Sequence, residues 1–523
     1  MQHDPNASLL SPVGLLCLLA AAILLTYLVS RSLNHTRPTK VGDDGESPDS
    51  PAHPTDGVLS TLRTDRHRLC ENIMLLGATG SGKTSILKRM MTEFLAEKRI
   101  GCCFLSVKPD APFDYARICR KAGRSDVKLF VAGETKFNFL LYELTRAGGT
   151  IESAALLFEQ MDELQAATKG GGGKEESFWS DTRREALIHS IGACFVAFGK
   201  HLTIRHVHAM LSDAPSSLSQ VDATSQEWYG NKCRLTLEMA AKAVRTAEHE
   251  RRVREAYEFF TRKIPAAGEK VVGATTMHCA ALLANFTRGK LYDTFCCSQS
   301  DHTPDWDLEG GITIFTDSVH EGKGFQFGQM AYSQILTRAA LARPVNVDTP
   351  IVVICADEYQ LVAAPQADSD AATQGRSQRL ARVCCIQGIS TLLNAMQDGL
   401  KAKYQAHTLL SNFNTKLFLQ NSDMEETGSY FEKLCGQMVR TMVGSSQNPV
   451  QQNNPYDVLG VGNAMHVNFH EQLLPRKLAS ALTRLKSGGK AHGFVVTGYV
   501  HQTGTLFENG LPFKTFAIAQ DLS

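Results

Sequence analysis

Residues Asn72–Leu95 read NIMLLGATGSGKTSILKRMMTEFL, and this stretch decides the fold. Asn72 to Leu76 is an apolar run of strand length, and Ser85 to Leu95 carries the apolar spacing of a helix. Between them Gly77, Ala78, Thr79, Gly80, Ser81, Gly82, Lys83 and Thr84 give GxxxxGK[ST] in a strand-loop-helix context. Glycines let the backbone curl so that successive N–H groups point inward, and the helix N-terminus adds partial positive charge. Such a loop is built to hold phosphate. The segment Gly77 to Ser85 is therefore expected to wrap ATP, with Lys83 reaching the β and γ phosphates and Thr84 ligating Mg2+.

A phosphate loop of this kind needs a second strand that ends in acid. Ile351 to Ala356, IVVICA, is an apolar run followed by Asp357 and Glu358. Asp357 is expected to hold the metal through its hydration shell, and Glu358 to accept a proton from the attacking water. Proteins that only bind nucleotide do not need that glutamate, so the pair points to hydrolysis. Two acids after a buried strand can also cap a helix, but the loop upstream favours the chemical role. Further on, Arg376, Arg379 and Arg382 approach another apolar run, Val383 to Ile389. Arg379 and Arg382 are the candidates for an arginine that reaches a neighbouring subunit's γ phosphate, and a solvated basic face is the alternative.

Outward from this centre the chain changes character. Leu9 to Val29, LLSPVGLLCLLAAAILLTYLV, would span about 30 Å as a helix and so cross a bilayer. Arg31, Arg37 and Lys40 follow it, and no Lys or Arg precedes it, which puts the rest of the chain in the cytoplasm. A cleaved signal peptide is the alternative, but it calls for a basic n-region and a shorter apolar stretch. Residues 34–60 are polar and proline-punctuated, a tether between the anchor (residues 1–33) and the body.

The 523 residues exceed what one core usually supports, so more than one folded part is expected. A net charge of +1 gives no global pull toward nucleic acid, and any DNA contact has to come from a local surface or pore. Fourteen cysteines include apolar doublets and no CxxC pair, which disfavours zinc and redox chemistry and reads as buried reduced thiols. Strand patterns over 61–140 and 269–523 flank a mostly helical 141–268, interrupted at Gly170 to Gly173 by a surface loop.

With these residues in view, the chain resembles the coupling ATPases of type IV secretion and conjugation, the TraG/TraD-like group in the HerA/FtsK branch of P-loop motors. The likeness covers nearly everything after residue 60. Besides the two strand-loop segments it rests on Lys108, Pro109 and Asp110, on KFNFLLYEL with Phe137 and Asn138, and on Phe178 and Trp179 in SFWSDTRREALI. PIVVICADEYQ and LLSNFNTKLFLQNSDMEETGSYFEKLCG complete it. The resemblance implies an α/β, RecA-like P-loop domain with an inserted all-α domain and an N-terminal transmembrane helix, assembling as a homo-hexamer with ATP at subunit interfaces. It implies a single-pass protein of the bacterial inner membrane that hydrolyses ATP to bring DNA, or a DNA-protein substrate, to a type IV secretion channel. An ATP-switched platform for protein effectors, or a phage or pilus assembly motor sharing only the core, are the other expectations. Three features depart from the family pattern: one apolar span instead of two, SVKPD in place of a DPKG-like motif, and a γ-phosphate-sensing glutamine whose place falls to Gln387 or Ser390.

Overall fold

The computed structural model describes residues 70–97, 99–167, 176–221, 226–396, 400–447 and 465–520. The expected transmembrane span, the tether, the glycine-rich loop at 170–173 and the side chains of Phe178 and Trp179 lie outside the described residues. Among those described, no helix is long and apolar enough to cross a membrane.

The body is built on the runs that the sequence makes continuously apolar. In chain order these are β1 (Ile73–Leu76), β2 (Ile100–Leu105), β3 (Val127–Phe130), β4 (Ile312–Phe315), β5 (Ile351–Ala356), β6 (Leu380–Ile386) and β7 (Thr415–Phe418). With β10 (Val495–Gln502) and β11 (Phe513–Ala519) they form one nine-stranded sheet, ordered β11-β10-β7-β1-β6-β5-β2-β4-β3. The first seven run parallel, and β10 and β11 close one side antiparallel. Strands such as IMLL and IVVICA are apolar at every position because both faces of a parallel sheet are covered. Side chains alternate accordingly: Met74, Leu76, Cys103 and Ile354 enter one core layer, while Ile73, Leu75, Cys102 and Val353 enter the other. The cysteine doublets 102–103 and 384–385 are split in this way between opposite faces, each thiol packing as a small hydrophobe.

Between β3 and β4 the described chain is helical, from Phe139–Thr145 to Asp305–Leu308, well past the expected limit at residue 268. The stretch after 268 carries Val271, Val272, Thr275 and Thr276, residues with strand propensity, yet packing overrides it and they lie in helical turns, one of them a π-turn (Gly273–Met277). Phe158, Met161, Leu187 and Phe286 share a core layer with Met74 and Leu76 of β1, so this helical region is cored against the sheet itself. Asn138 helps fix it there: its Oδ1 accepts from Leu141 N (3.0 Å) at the helix N-cap, and its Nδ2 donates to the carbonyls of Leu202 (2.7 Å) and Cys297 (2.8 Å). A separate antiparallel pair, β8 (Gln437–Gln447) with β9 (Met465–Pro475), has no counterpart in the expectations from sequence.

One buried carboxylate ties several of these elements together. Asp368, 1% exposed, sits on the helix Pro365–Gly375. Its Oδ1 accepts from Arg382 on β6 (2.9 Å) and from Gln334 (2.8 Å) on the helix Lys323–Ala342. Its Oδ2 accepts from Tyr359 (2.5 Å) and from the N–H of Ala364 (3.1 Å). Breaking a buried ion pair from one side strands the other charge in a dry core. Asp368→Ala is expected to cost about 3–5 kcal/mol of unfolding free energy, read as a lower urea midpoint with an unchanged slope.

Candidate functional site

Gly77 leaves β1, Asp357 leaves β5 and Gln387 leaves β6 at the same carboxyl-end rim of the sheet, where open α/β sheets hold their ligands. The loop after β1 is seated on both neighbours: Gly77 N–H donates to Ile386 O (3.2 Å) and Ala78 N–H to Gln420 O (2.9 Å). Two of its glycines are obligatory. A Cβ on Gly77 would stand 2.4 Å from Ser81 Oγ, and Gly82 combines φ of +90° with Val496 of β10, which a Cβ would meet at 2.5 Å. Helix Lys83–Leu95 begins directly after it, so the first backbone N–H groups of that helix open into the loop.

Lys83 is buried, and its ammonium donates to the carbonyls of Gly77 (2.5 Å) and Ala78 (3.0 Å) of its own loop. Burial pulls its pKa below the usual lysine value, against the opposing fields of Glu358 and Asp357. In the sheet, β6 alone separates β1, which carries the loop, from β5, which carries the two acids. Thr84, the second residue of the helix, is half-buried, and Ser85 Oγ accepts from Gln520 Nε2 (3.1 Å) beyond β11.

Asp357 and Glu358 are 6% and 5% exposed. Glu358 takes a left-handed backbone (φ 59°, ψ 50°), a conformation that costs a non-glycine residue energy and is retained where surrounding structure imposes it. Lys108 Nζ stands 2.7 Å from Glu358 Oε1 and 3.5 Å from Asp357 Oδ2. The other oxygen, Glu358 Oε2, accepts from Gln360 Nε2 (2.8 Å) and Gln387 Nε2 (3.2 Å). Burial raises the Asp357 pKa despite Lys108. Burial acts the same way on Glu358, but its hydrogen bonds to Lys108 and Gln360 outweigh it and hold the carboxyl below its usual value. Three buried polar atoms here, Ser81 Oγ, Asp357 Oδ1 and Gln360 Oε1, have no hydrogen-bond partner among the described residues. A hard divalent cation takes oxygen ligands, and the unpartnered Asp357 oxygen fits that donor set.

The arginines and the strand that follows them take these places. Arg382 is 2% exposed on β6 and spent on Asp368 and on Thr337 Oγ1 (2.7 Å), which takes it out of any role toward a neighbouring subunit. Arg379, with φ of 54°, precedes β6 at the rim opposite the phosphate loop and donates to the carbonyls of Val347 (3.1 Å) and Thr349 (2.6 Å) of its own chain. The strand expected at Val383 to Ile389 is Leu380–Ile386, because Gly388 and Ile389 turn into the next helix. Gln387 thereby stands just beyond the strand end with its amide on Glu358, whereas the backbone N–H of Ser390 donates to Asp423 Oδ2 (3.2 Å). Gln360 ends the PIVVICADEYQ block, but nothing in that block singles it out as a partner of Glu358. Lys108 does carry a signal: it follows the end of β2, and β2 is the neighbour of β5.

A parallel sheet with a glycine-rich phosphate loop after its first strand and an acid pair after a second one defines a P-loop α/β protein. Within that class the chain has the fold of the bacterial conjugative coupling protein TrwB. It is similar to TrwBdeltaN70 in its unbound monoclinic form (TM-score 0.52, 14% identity, covering 87% of this chain and 86% of that one). It is similar also to plasmid coupling protein TrwB in complex with the non-hydrolysable GTP analogue GDPNP (TM-score 0.50, 14% identity, 88% and 87% covered). No protein-family model matches the chain, and no curated protein matches its sequence. The likeness to the coupling proteins expected from the sequence blocks therefore holds at the level of fold.

Gly82→Ala forces a Cβ into both a left-handed backbone and the Val496 side chain. It is expected to cost about 1–3 kcal/mol, seen as a lower melting temperature, whereas Gly80→Ala, with open space around its Cβ, pays only the backbone part.

Proposed function

We propose that this chain is a Mg2+-dependent P-loop ATPase that works as a coupling motor. On this reading the Gly77–Ser85 loop holds the triphosphate through its backbone N–H groups, and Lys83 exchanges its two loop carbonyls for the β and γ phosphates. Thr84 and Asp357 would hold Mg2+, which when bound would offset the negative charge that develops on the phosphate. Glu358 accepts the proton of the attacking water, and Gln387, already on Glu358, is placed to report on the γ phosphate. The observation that carries the reading is the pocket itself: a buried ammonium bonded to the carbonyls of its own loop, on the sheet rim that also carries the two acids, with oxygens at Ser81 and Asp357 that lack a hydrogen-bond partner among the described residues. A TrwB structure of the same fold holds a nucleoside triphosphate analogue, which supports the same ligand class here.

The work done with that hydrolysis, on this proposal, is to recruit DNA or a DNA-linked protein and move it toward a type IV secretion channel. The chain would act as a homo-hexamer held at the bacterial inner membrane by the Leu9–Val29 span. Contact with the strand would run through backbone electrostatics, so it would be insensitive to sequence and weakened by salt. A neighbour's arginine, if the ring uses one, has to come from a residue other than Arg382.

Three outcomes are expected. The purified protein binds a fluorescent ATP analogue, and Lys83→Ala weakens that binding by about tenfold or more. Glu358→Gln keeps binding but lowers turnover by about a hundredfold. Single-stranded DNA raises turnover, and more so at low salt. Absence of nucleotide binding sinks the whole reading. Binding and turnover without any response to DNA would leave the recruitment platform for protein effectors as the better account.

A further inference from the structure

The hydrogen bonds around Glu358 leave it poorly available as a base. Its Oε1 is occupied by the Lys108 ammonium and its Oε2 by two side-chain amides, so the carboxylate is held from both sides. The three donors differ in kind. Gln360 is buried and Gln387 borders a core strand, whereas the Lys108 side chain is 43% exposed on the short loop between β2 and the helix Ala111–Lys121. Asp357 and Glu358 are each only 7% exposed at the side chain, and the left-handed backbone at Glu358 is fixed by the Tyr359 and Ala364 bonds to Asp368 that follow it. Of the groups touching the base, the lysine alone combines a flexible four-carbon stem with access to solvent.

We propose that Lys108 is a restraint on Glu358: its ammonium clamps the carboxylate while the motor idles and has to swing out of contact before the base can take a proton from water. The inference rests on the ATPase reading and adds to it a positioning residue that keeps basal turnover low. A charge-assisted hydrogen bond at 2.7 Å is among the stronger polar contacts a side chain makes, and the second carboxylate at 3.5 Å holds the ammonium on station. Whatever draws the ammonium outward, an anion or a neighbouring surface at the exposed loop, would thereby license hydrolysis. Proton transfer itself is unchanged: it runs from water to the freed Glu358 oxygen.

The test uses the full-length protein. Lys108→Met keeps the stem and removes the charge, and is expected to raise basal turnover roughly three- to tenfold with the Kd for a fluorescent ATP analogue within about twofold of wild type. Lys108→Arg, which keeps a cation of similar reach, raises it less. A second readout needs no turnover. The melting-temperature shifts of Lys108→Met and Glu358→Gln in nucleotide-free protein should be non-additive in the double variant, because both remove one contact. A fall in turnover or a weakened Kd for Lys108→Met would make the lysine a phosphate contact and overturn the restraint. Additive melting shifts would overturn it too, even for a chain that hydrolyses nothing, whereas absent wild-type turnover alone strikes the ATPase reading.

Discussion

The Asp368 carboxylate is the constraint on which the geometry of this molecule turns. It is buried, it is charged, and it collects a guanidinium, an amide, a phenol and a backbone N–H from four segments. None of those donors can be released cheaply, because each would leave the carboxylate less compensated in a medium that solvates charge poorly. The consequence reaches the rim of the sheet: Tyr359 and Ala364 flank the turn after Glu358, so a network set back from the loop and its two acids holds Glu358 in its left-handed backbone. Asn72 performs a similar service at the other end. Its Oδ1 accepts from Arg382 N–H (2.9 Å) and its Nδ2 donates to Asn412 O (3.1 Å), which locks β1 between its two neighbours.

Burial separates what could be recognised in advance from what could not. The loop after β1 and the strand IVVICA are local patterns, each contained in a few consecutive residues whose types are dictated by phosphate and by a two-sided core. They were legible, and β5 falls on the expected residues Ile351–Ala356. The arginines were not legible in the same way. An arginine beside a strand looks alike in sequence whether it faces a neighbour or a buried acid, and for Arg382 the pairing with Asp368 decides. The β6 boundary moved for a related reason: the apolar run from Val383 stops at Ile386, and after Gln387 and Gly388 the next apolar residue, Ile389, begins a helix. That displacement of a few residues is what carries Gln387 to the end of the strand and onto Glu358.

Lys108 and Gln360 illustrate a different limit. Their significance comes from distances to an oxygen more than two hundred residues away in one case and two residues away in the other, and the sequence blocks that contain them do not state those contacts. What a sequence does specify is topology, and topology gives a usable clue: polar residues at the carboxyl ends of strands that neighbour the acid-bearing strand are worth weighing together. The helical region shows the converse. Its valines and threonines favour strands as isolated residues, but a shared core with β1 gives the helix the larger burial.

The placement of Val496 beneath Gly82 has a consequence for how the protein is made. The glycine-rich loop is translated early, whereas the strand that floors it is translated some four hundred residues later, along with Gln520, which reaches Ser85. Until those late segments have emerged from the ribosome, β7 is an open edge and the loop lacks one of its walls. The nascent chain thus carries an unfinished pocket throughout the interval between the making of the loop and the making of the strand that floors it.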